Sequence, residues 1–300
     1  MNSENAIQRF VLNLEKQGLN PDYALAGLAH LKPLNYWEYT QVETLLSLQN
    51  PRTHFKDETV FILYHQLTEL VFKLMLHEIE QLSTSGFSTQ LWLEKTDRLI
   101  RYTQLLLNSF DIMKYGMNYD EYAQFRTSLS PASGFQSAQY RKIELHCTSL
   151  LNLVHVSKRK TLSSKSLVEE LFPFLYWYEA GTHPQSGKKS ATLQQFETKY
   201  QMELQLLAKQ KSGQTLDCLL AQAPDVSADL VHKLREFDRL FNIDWPLVHL
   251  QTAKHYLESK DQSKAATGGS AWTTYLHPSY QKRTFFPLLW SQEELTHWGS

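Results

Sequence analysis

The sequence contains only two cysteines, Cys147 and Cys218, and no Cys-x-x-Cys pair. That is too few for a disulfide framework. It lacks a charge excess as well: 30 Lys+Arg stand against 31 Asp+Glu, a formal net charge of -1. Nothing resembles the basic footprint of a nucleic-acid or membrane-surface binder. The one basic run, "KRK" at 158–160, sits among serines and threonines and reads as a solvated loop. No run approaches the ~18 uncharged apolar residues of a membrane span, since Glu58, Glu69 and Lys73 interrupt the greasiest stretch. The opening "MNSENAIQRF" has no basic-then-apolar signal pattern. Together these absences predict a cytoplasmic protein with neither nucleic-acid nor membrane partners. Sustained period-2 alternation is missing, and no Asn-Gly or Asp-Gly hairpin occurs, so strands are not expected. There is no P-loop, no GxGxxG and no His-Glu-x-x-His helix. "TGGS" at 267–270 lacks the lysine and the strand–helix setting of a phosphate loop.

What is present is helical periodicity over a chain of 300 residues, 42% hydrophobic and long enough for a large core. A helix capped by Asp57 is predicted from about Thr59 to Leu82, with Glu69, Lys73 and Glu80 on its wetter face and Glu69–Lys73 as an i,i+4 pair. A second runs from about Trp92 to Tyr115, with Leu99, Tyr102, Leu106 and Met113 in one stripe and Gly116 as its stop. Asn118 caps a third, with Glu121 at its third position, and Pro131 ends it by Ser130. Further helices are expected at 135–156, 167–179, 191–211, 227–241 and 246–259, the last opening on Pro246. Loops are expected at 157–166 and 180–190. No repeat or linker cuts the chain, so the expectation is a single all-α domain over 1–300, with a helical N-terminal segment at 1–30.

Two histidines stand out. His65 lies in "FILYHQLTEL" beside Phe61 and Tyr64, and His249 lies in "DWPLVHLQTAKHYL" among Trp245, Leu247, Val248 and Leu250. Either could be a core histidine bonded to a carbonyl. A di-iron centre needs two Glu-x-x-His pairs on core helices. The only such pair, Glu294 to His297, lies near the end of the chain. Haem needs far less: one neutral histidine and an apolar slot between helices. His255 is about 240° further round the helix from His249 and cannot share its face.

Several separated stretches resemble one family. "YWEYTQVETLLSLQNPRT" (36–53), "DETVFILYHQLTELVFK" (57–73), "DEYAQFRTSLSPASGFQSAQYR" (120–141), the Trp-x-x-x-His of 245–249 and "TGGS" are similar to the tryptophan 2,3-dioxygenases, in that family's order and across about residues 30–290. The resemblance implies one haem b per subunit, ferrous when active, with His249 as proximal iron ligand and His65 as the distal catalytic residue that positions the indole. It implies that Phe61, Tyr122, Arg126, Leu129 and Thr267 bind substrate: Arg126 takes the carboxylate and Thr267 helps hold the ammonium group. Tyr36, Tyr39 and Thr40 match positions that the family lends to a neighbouring subunit, which implies a homotetramer built as a dimer of dimers. The activity implied is insertion of O2 across the indole C2–C3 bond of L-tryptophan to give N-formylkynurenine, the first step of tryptophan catabolism by the kynurenine route. An Arg fork suits bidentate carboxylate recognition. Before the resemblance, the same Arg126 would also read as a cation soothing a helix C-terminus.

The chain departs from the family pattern at Thr40, where leucine is expected, and at Ala266, Ala271 and Trp272 in the Gly-rich loop. Those changes bear on which indoles fit. Rival readings are a related haem enzyme acting on another indole or aromatic amino acid, a non-catalytic haem-binding protein, and a helical scaffold without cofactor.

Overall fold

The computed structural model describes residues 3–163, 166–183, 186–259, 262–263 and 276–300. Thr267, Ala266, Ala271, Trp272 and the rest of the Gly-rich loop lie outside the described residues. The chain divides into two compact units, residues 1–50 and 51–300.

The first unit consists of α1 (Ser3–Lys16), α2 (Pro21–Leu28), α3 (Tyr36–Thr40) and α4 (Val42–Leu46). Asn20 and Asn35 cap α2 and α3 by accepting backbone N–H bonds. Gln41, with φ 54°, turns the chain between α3 and α4. None of these four helices buries a residue.

In the second unit α5 (Asp57–Thr84) and α6 (Thr89–Tyr115) pack along each other, and α5 also packs on α8 (Ala138–Cys147). Val71, Phe72, Met75, Ile79 and Leu82 of α5 meet Trp92, Leu99 and Leu106 of α6, the i, i+3, i+4 and i+7 spacing of a buried helical stripe. By length and composition α5 could cross a membrane, which corrects the expectation that no segment comes close. Its position explains the apolarity, because it is a core helix touched by neighbours on several sides. Asp57 does not cap it. The cap position is Lys56, and Asp57 lies in the first turn, where its carboxylate accepts the Asn118 N–H while Glu121 accepts the Asp57 N–H at 3.1 Å. Two helix starts are thereby tied together. Glu69 accepts from Gln139 at 2.8 Å, and no ion pair to Lys73 forms among the described residues.

Gly116 ends α6, and a Cβ there would meet the Ile112 carbonyl oxygen at 2.5 Å. Asn118 caps α7 (Tyr119–Phe125) through the Asp120 and Glu121 N–H groups, as its sequence pattern predicts. A 3-10 turn, Arg126–Leu129, closes that segment.

The single helix expected over 135–156 is instead broken. After α8 come α9 (Leu150–Leu153) and α10 (Val156–Arg159). The cause lies far away in the chain, at Asp217. Its carboxylate accepts from Thr148 Oγ1 at 3.1 Å and from Ser149 N and Oγ at 3.0 Å, bonds that hold Thr148 extended and compete with helical continuation. Likewise 167–179 splits into α11 (Val168–Leu171), a 3-10 turn over Pro173 and α12 (Tyr176–Ala180). α13 (Ala191–Gln210) matches expectation, while α14 (Leu216–Ala221) has no clear sequence signal.

α15 (Ala228–Arg239) does not stop before α16 (Trp245–Leu257). A π-helical turn, Leu240–Asp244, joins them, so Pro246 sits one residue inside α16 rather than opening a separate helix. The wider turn accommodates the missing proline N–H, and such turns recur at functional sites. α6 packs against both α15 and α16. The only strands among the described residues are β1 (Glu258–Ser259) and β2 (Gln262–Ser263), so the fold is all-α.

Candidate active site

α5, α6, α7, α8, α12 and α16, with 3-10 and loop segments, enclose a largely apolar cavity of about 220 Å³. Phe61, Tyr64, His65, Phe110, Met113, Tyr122, Trp245 and His249 line it. All of its lining residues belong to 51–300. His65 and His249, 184 positions apart in sequence, therefore face one space.

His249 is half-buried because it borders the cavity, yet its Nδ1 is sealed from solvent and has no partner among the described residues. Phe110 and Trp245 flank the ring at 5.7 and 5.6 Å between centroids. Burial among these apolar groups lowers its pKa to about 4, with a smaller contribution from His65. The imidazole is neutral at physiological pH, the state in which it can ligate a metal. A neutral, aromatic-flanked imidazole on a helix beside an apolar slot fits the requirement of haem for one axial nitrogen. Among the described residues no group of three or more His, Cys, Asp or Glu could hold a metal ion.

His65 Nδ1 lies 2.7 Å from the Phe61 carbonyl oxygen, one turn earlier on α5. A carbonyl only accepts, so Nδ1 donates, and in the neutral ring Nε2 keeps a lone pair. Burial lowers the His65 pKa, which the Phe61 bond and Glu69 partly oppose. Phe61 packs against His65 at 4.2 Å and lies 6.1 Å from Tyr122. Both neighbours come from the same apolar cluster as Leu129.

Tyr122 lines the cavity, and Arg126, one turn on, hydrogen-bonds it. Burial raises the Tyr122 pKa against the pull of Arg126, so the phenol stays protonated. Arg126 and Leu129 are half-buried, one step behind the cavity wall. Tyr36 and Tyr39 are 73% and 75% exposed on α3 of the first unit, with Thr40 at its last position. The structure also brings Tyr140, Arg141, Tyr176, Gln281 and Arg283 to the cavity, none of which sequence reasoning singled out. The only available hint was the i,i+3 spacing of Arg141 and Glu144, which on an ordinary helix means a surface pair.

Comparison with known proteins points to one family. A family model described as tryptophan 2,3-dioxygenase matches residues 28–162, a span containing Phe61, His65, Tyr122 and Arg126. A tryptophan 2,3-dioxygenase of Bacillus anthracis is 29% identical over 282 residues, covering 86% of this chain and 91% of the relative. One from Herpetosiphon aurantiacus is 27% identical over 272 residues, covering 86% and 96%. A tryptophan 2,3-dioxygenase 2 of Ralstonia nicotianae is 37% identical over a shorter 127 residues, 38% and 34% of the two chains. At 27–29% identity running through most of both lengths, the chain is similar to the tryptophan 2,3-dioxygenases.

Proposed function

We propose that this protein is a haem-dependent tryptophan 2,3-dioxygenase that inserts both atoms of O2 across the indole C2–C3 bond of L-tryptophan, giving N-formylkynurenine. The observation that carries the reading is the sharing of one apolar cavity by His249, a neutral imidazole with an orphaned Nδ1, and His65, whose tautomer is set by Phe61. Haem b held on His249 in its ferrous state supplies the activation of O2.

The chain's own residues bind and orient. His65 Nε2 accepts the indole N–H, which fixes the plane and rotation of the ring. Its part is positioning, because indole is too weak an acid for neutral imidazole to deprotonate readily. Phe61 packs on the substrate ring and keeps water from it. Arg126 takes the amino-acid carboxylate as a charged fork, held in place by its bond to Tyr122. Leu129 closes the apolar side, and Thr267 helps hold the ammonium group. Tyr36, Tyr39 and Thr40 complete the pocket of a neighbouring copy in a homotetramer, in the cytoplasm. The exposure of the two tyrosines supports this, since 73% and 75% is high for aromatic side chains.

The test is an absorption spectrum of reduced, haem-reconstituted protein, followed by L-tryptophan and air. A haem band that shifts with tryptophan while N-formylkynurenine appears is the expected result. Haem uptake with neither shift nor product would turn the assignment to another indole or to haem binding without catalysis.

A further inference from the structure

Tyr256 joins the helix of His249 to the substrate fork, and no step above uses it. It lies seven positions after His249 on α16, about two helical turns on, so the two side chains share a face. Both line the cavity, and Tyr256 is buried. Its hydroxyl lies 2.6 Å from the Met113 carbonyl oxygen, with the Met117 and Lys114 carbonyls at 3.3 and 3.5 Å. Carbonyls only accept, so the phenol donates, and Met113 at the shortest distance is its main partner. Burial, with Tyr122 and Asp57 nearby, pushes the Tyr256 pKa up to about 12, so the proton stays in place at physiological pH. Met113 and Lys114 belong to the last turn of α6, where carbonyls lack donors within the helix. α16 is thereby pinned to the point where α6 gives way to α7.

The ring packs 4.6 Å from Tyr122 and stacks on Tyr119 at 6.0 Å, with 9° between the planes. Tyr122 in turn hydrogen-bonds Arg126, one helical turn on. One side chain therefore touches the end of α6 and the phenol that steadies the guanidinium, from the helix that carries His249. With its single proton committed to a backbone carbonyl, Tyr256 has none to give a substrate. Its ring, anchored at the hydroxyl end, instead holds a fixed surface against Tyr122.

Resting on the dioxygenase reading above, we propose that Tyr256 is a positioning residue for the substrate. It fixes Tyr122, and through it Arg126, at a set distance from His249, and so favours an indole that carries a carboxylate over one that does not. A plain core strut would hold the fold equally for every ligand, whereas a spacer between His249 and the fork acts on the carboxylate alone.

The test uses full-length, haem-reconstituted, reduced protein. Calorimetry under nitrogen measures affinity for L-tryptophan and for tryptamine, which lacks the carboxylate. Steady-state rates in air give KM and kcat for tryptophan. Tyr256→Phe keeps the ring and removes the hydroxyl. It should weaken tryptophan binding and raise KM about 3- to 10-fold, the range of one neutral hydrogen bond. Tryptamine affinity, kcat and haem content should stay within about twofold of wild type, the pattern of a lost binding contact. Tyr256→Leu also removes the ring contact with Tyr122 and should lose more tryptophan affinity than Tyr256→Phe. In an Arg126→Ala background, Tyr256→Phe should raise KM no further, because the two residues act in series. Equal weakening of tryptophan and tryptamine, an unchanged KM, or additive losses in the double variant would each overturn the proposal and leave Tyr256 a strut. Haem loss from Tyr256→Phe would do the same, by tracing its effect to His249. Wild-type protein that takes up haem but binds no tryptophan would sink the dioxygenase reading itself, a result seen before any variant is made.

Discussion

The Nδ1 of His65 sits 2.7 Å from the carbonyl oxygen of Phe61, and this one bond decides which nitrogen of the imidazole is free to meet a ligand. Because it is local to a helical turn, it holds wherever α5 holds. His65→Ala should retain haem and lose turnover by about 10- to 1,000-fold, the range for a lost orienting contact. His65→Phe, which fills the space without an acceptor, should be similarly slow. Steady-state rates beside haem spectra check both, and loss of haem from His65→Ala would move that residue to the iron.

His249→Ala should copurify with little or no haem while keeping its helical circular dichroism, since the ring packs against Phe110 and Trp245 without holding a backbone group. A full complement of haem in the variant would refute the ligand assignment.

Arg126→Ala should raise KM for tryptophan about 10- to 100-fold with haem content unchanged, corresponding to ~1.5–3 kcal/mol for a hydrogen bond to a charged group. Tyr122→Phe removes only the bond that steadies the guanidinium and should have the smaller effect. An unchanged KM in Arg126→Ala would remove its carboxylate role.

Acid should destabilise the haem-free protein between about pH 6.5 and 4. His249 and His146 both titrate near 4 when folded, mainly from burial, against an ordinary value of 6.5. In that window the unfolded chain binds more protons than the folded one, so stability falls as pH falls, by up to about 3 kcal/mol per group. Urea unfolding at several pH values measures this, and His146→Leu should flatten the slope. A flat wild-type profile would contradict the buried neutral state.

Asp238 ties α15 to the C-terminal segment through Phe285, Phe286 and Trp290. Asp238→Ala would orphan two buried N–H groups and an indole N–H, and should lower stability by about 3–5 kcal/mol in denaturant unfolding. A loss below about 1 kcal/mol would show that water replaces the carboxylate.

What the sequence determined by itself was local. The long apolar helix around His65, the Asn118 cap, the Gly116 stop and the end of the third segment before Pro131 all appear where the pattern predicts. Helical periodicity and capping are settled within about four residues, so a linear reading captures them. Two candidate histidines were equally visible as residue types in apolar settings.

Only the tertiary structure decided that those two histidines border one cavity, that Asp217 breaks the helix after Cys147, and that α15 and α16 join through a π turn. It also brought Arg283 onto Glu144 across 139 residues of chain. These outcomes depend on which buried polar groups find one another once the core closes. A group 139 positions away leaves no trace in a helical period, and the need to satisfy it in a dry interior overrides local preference.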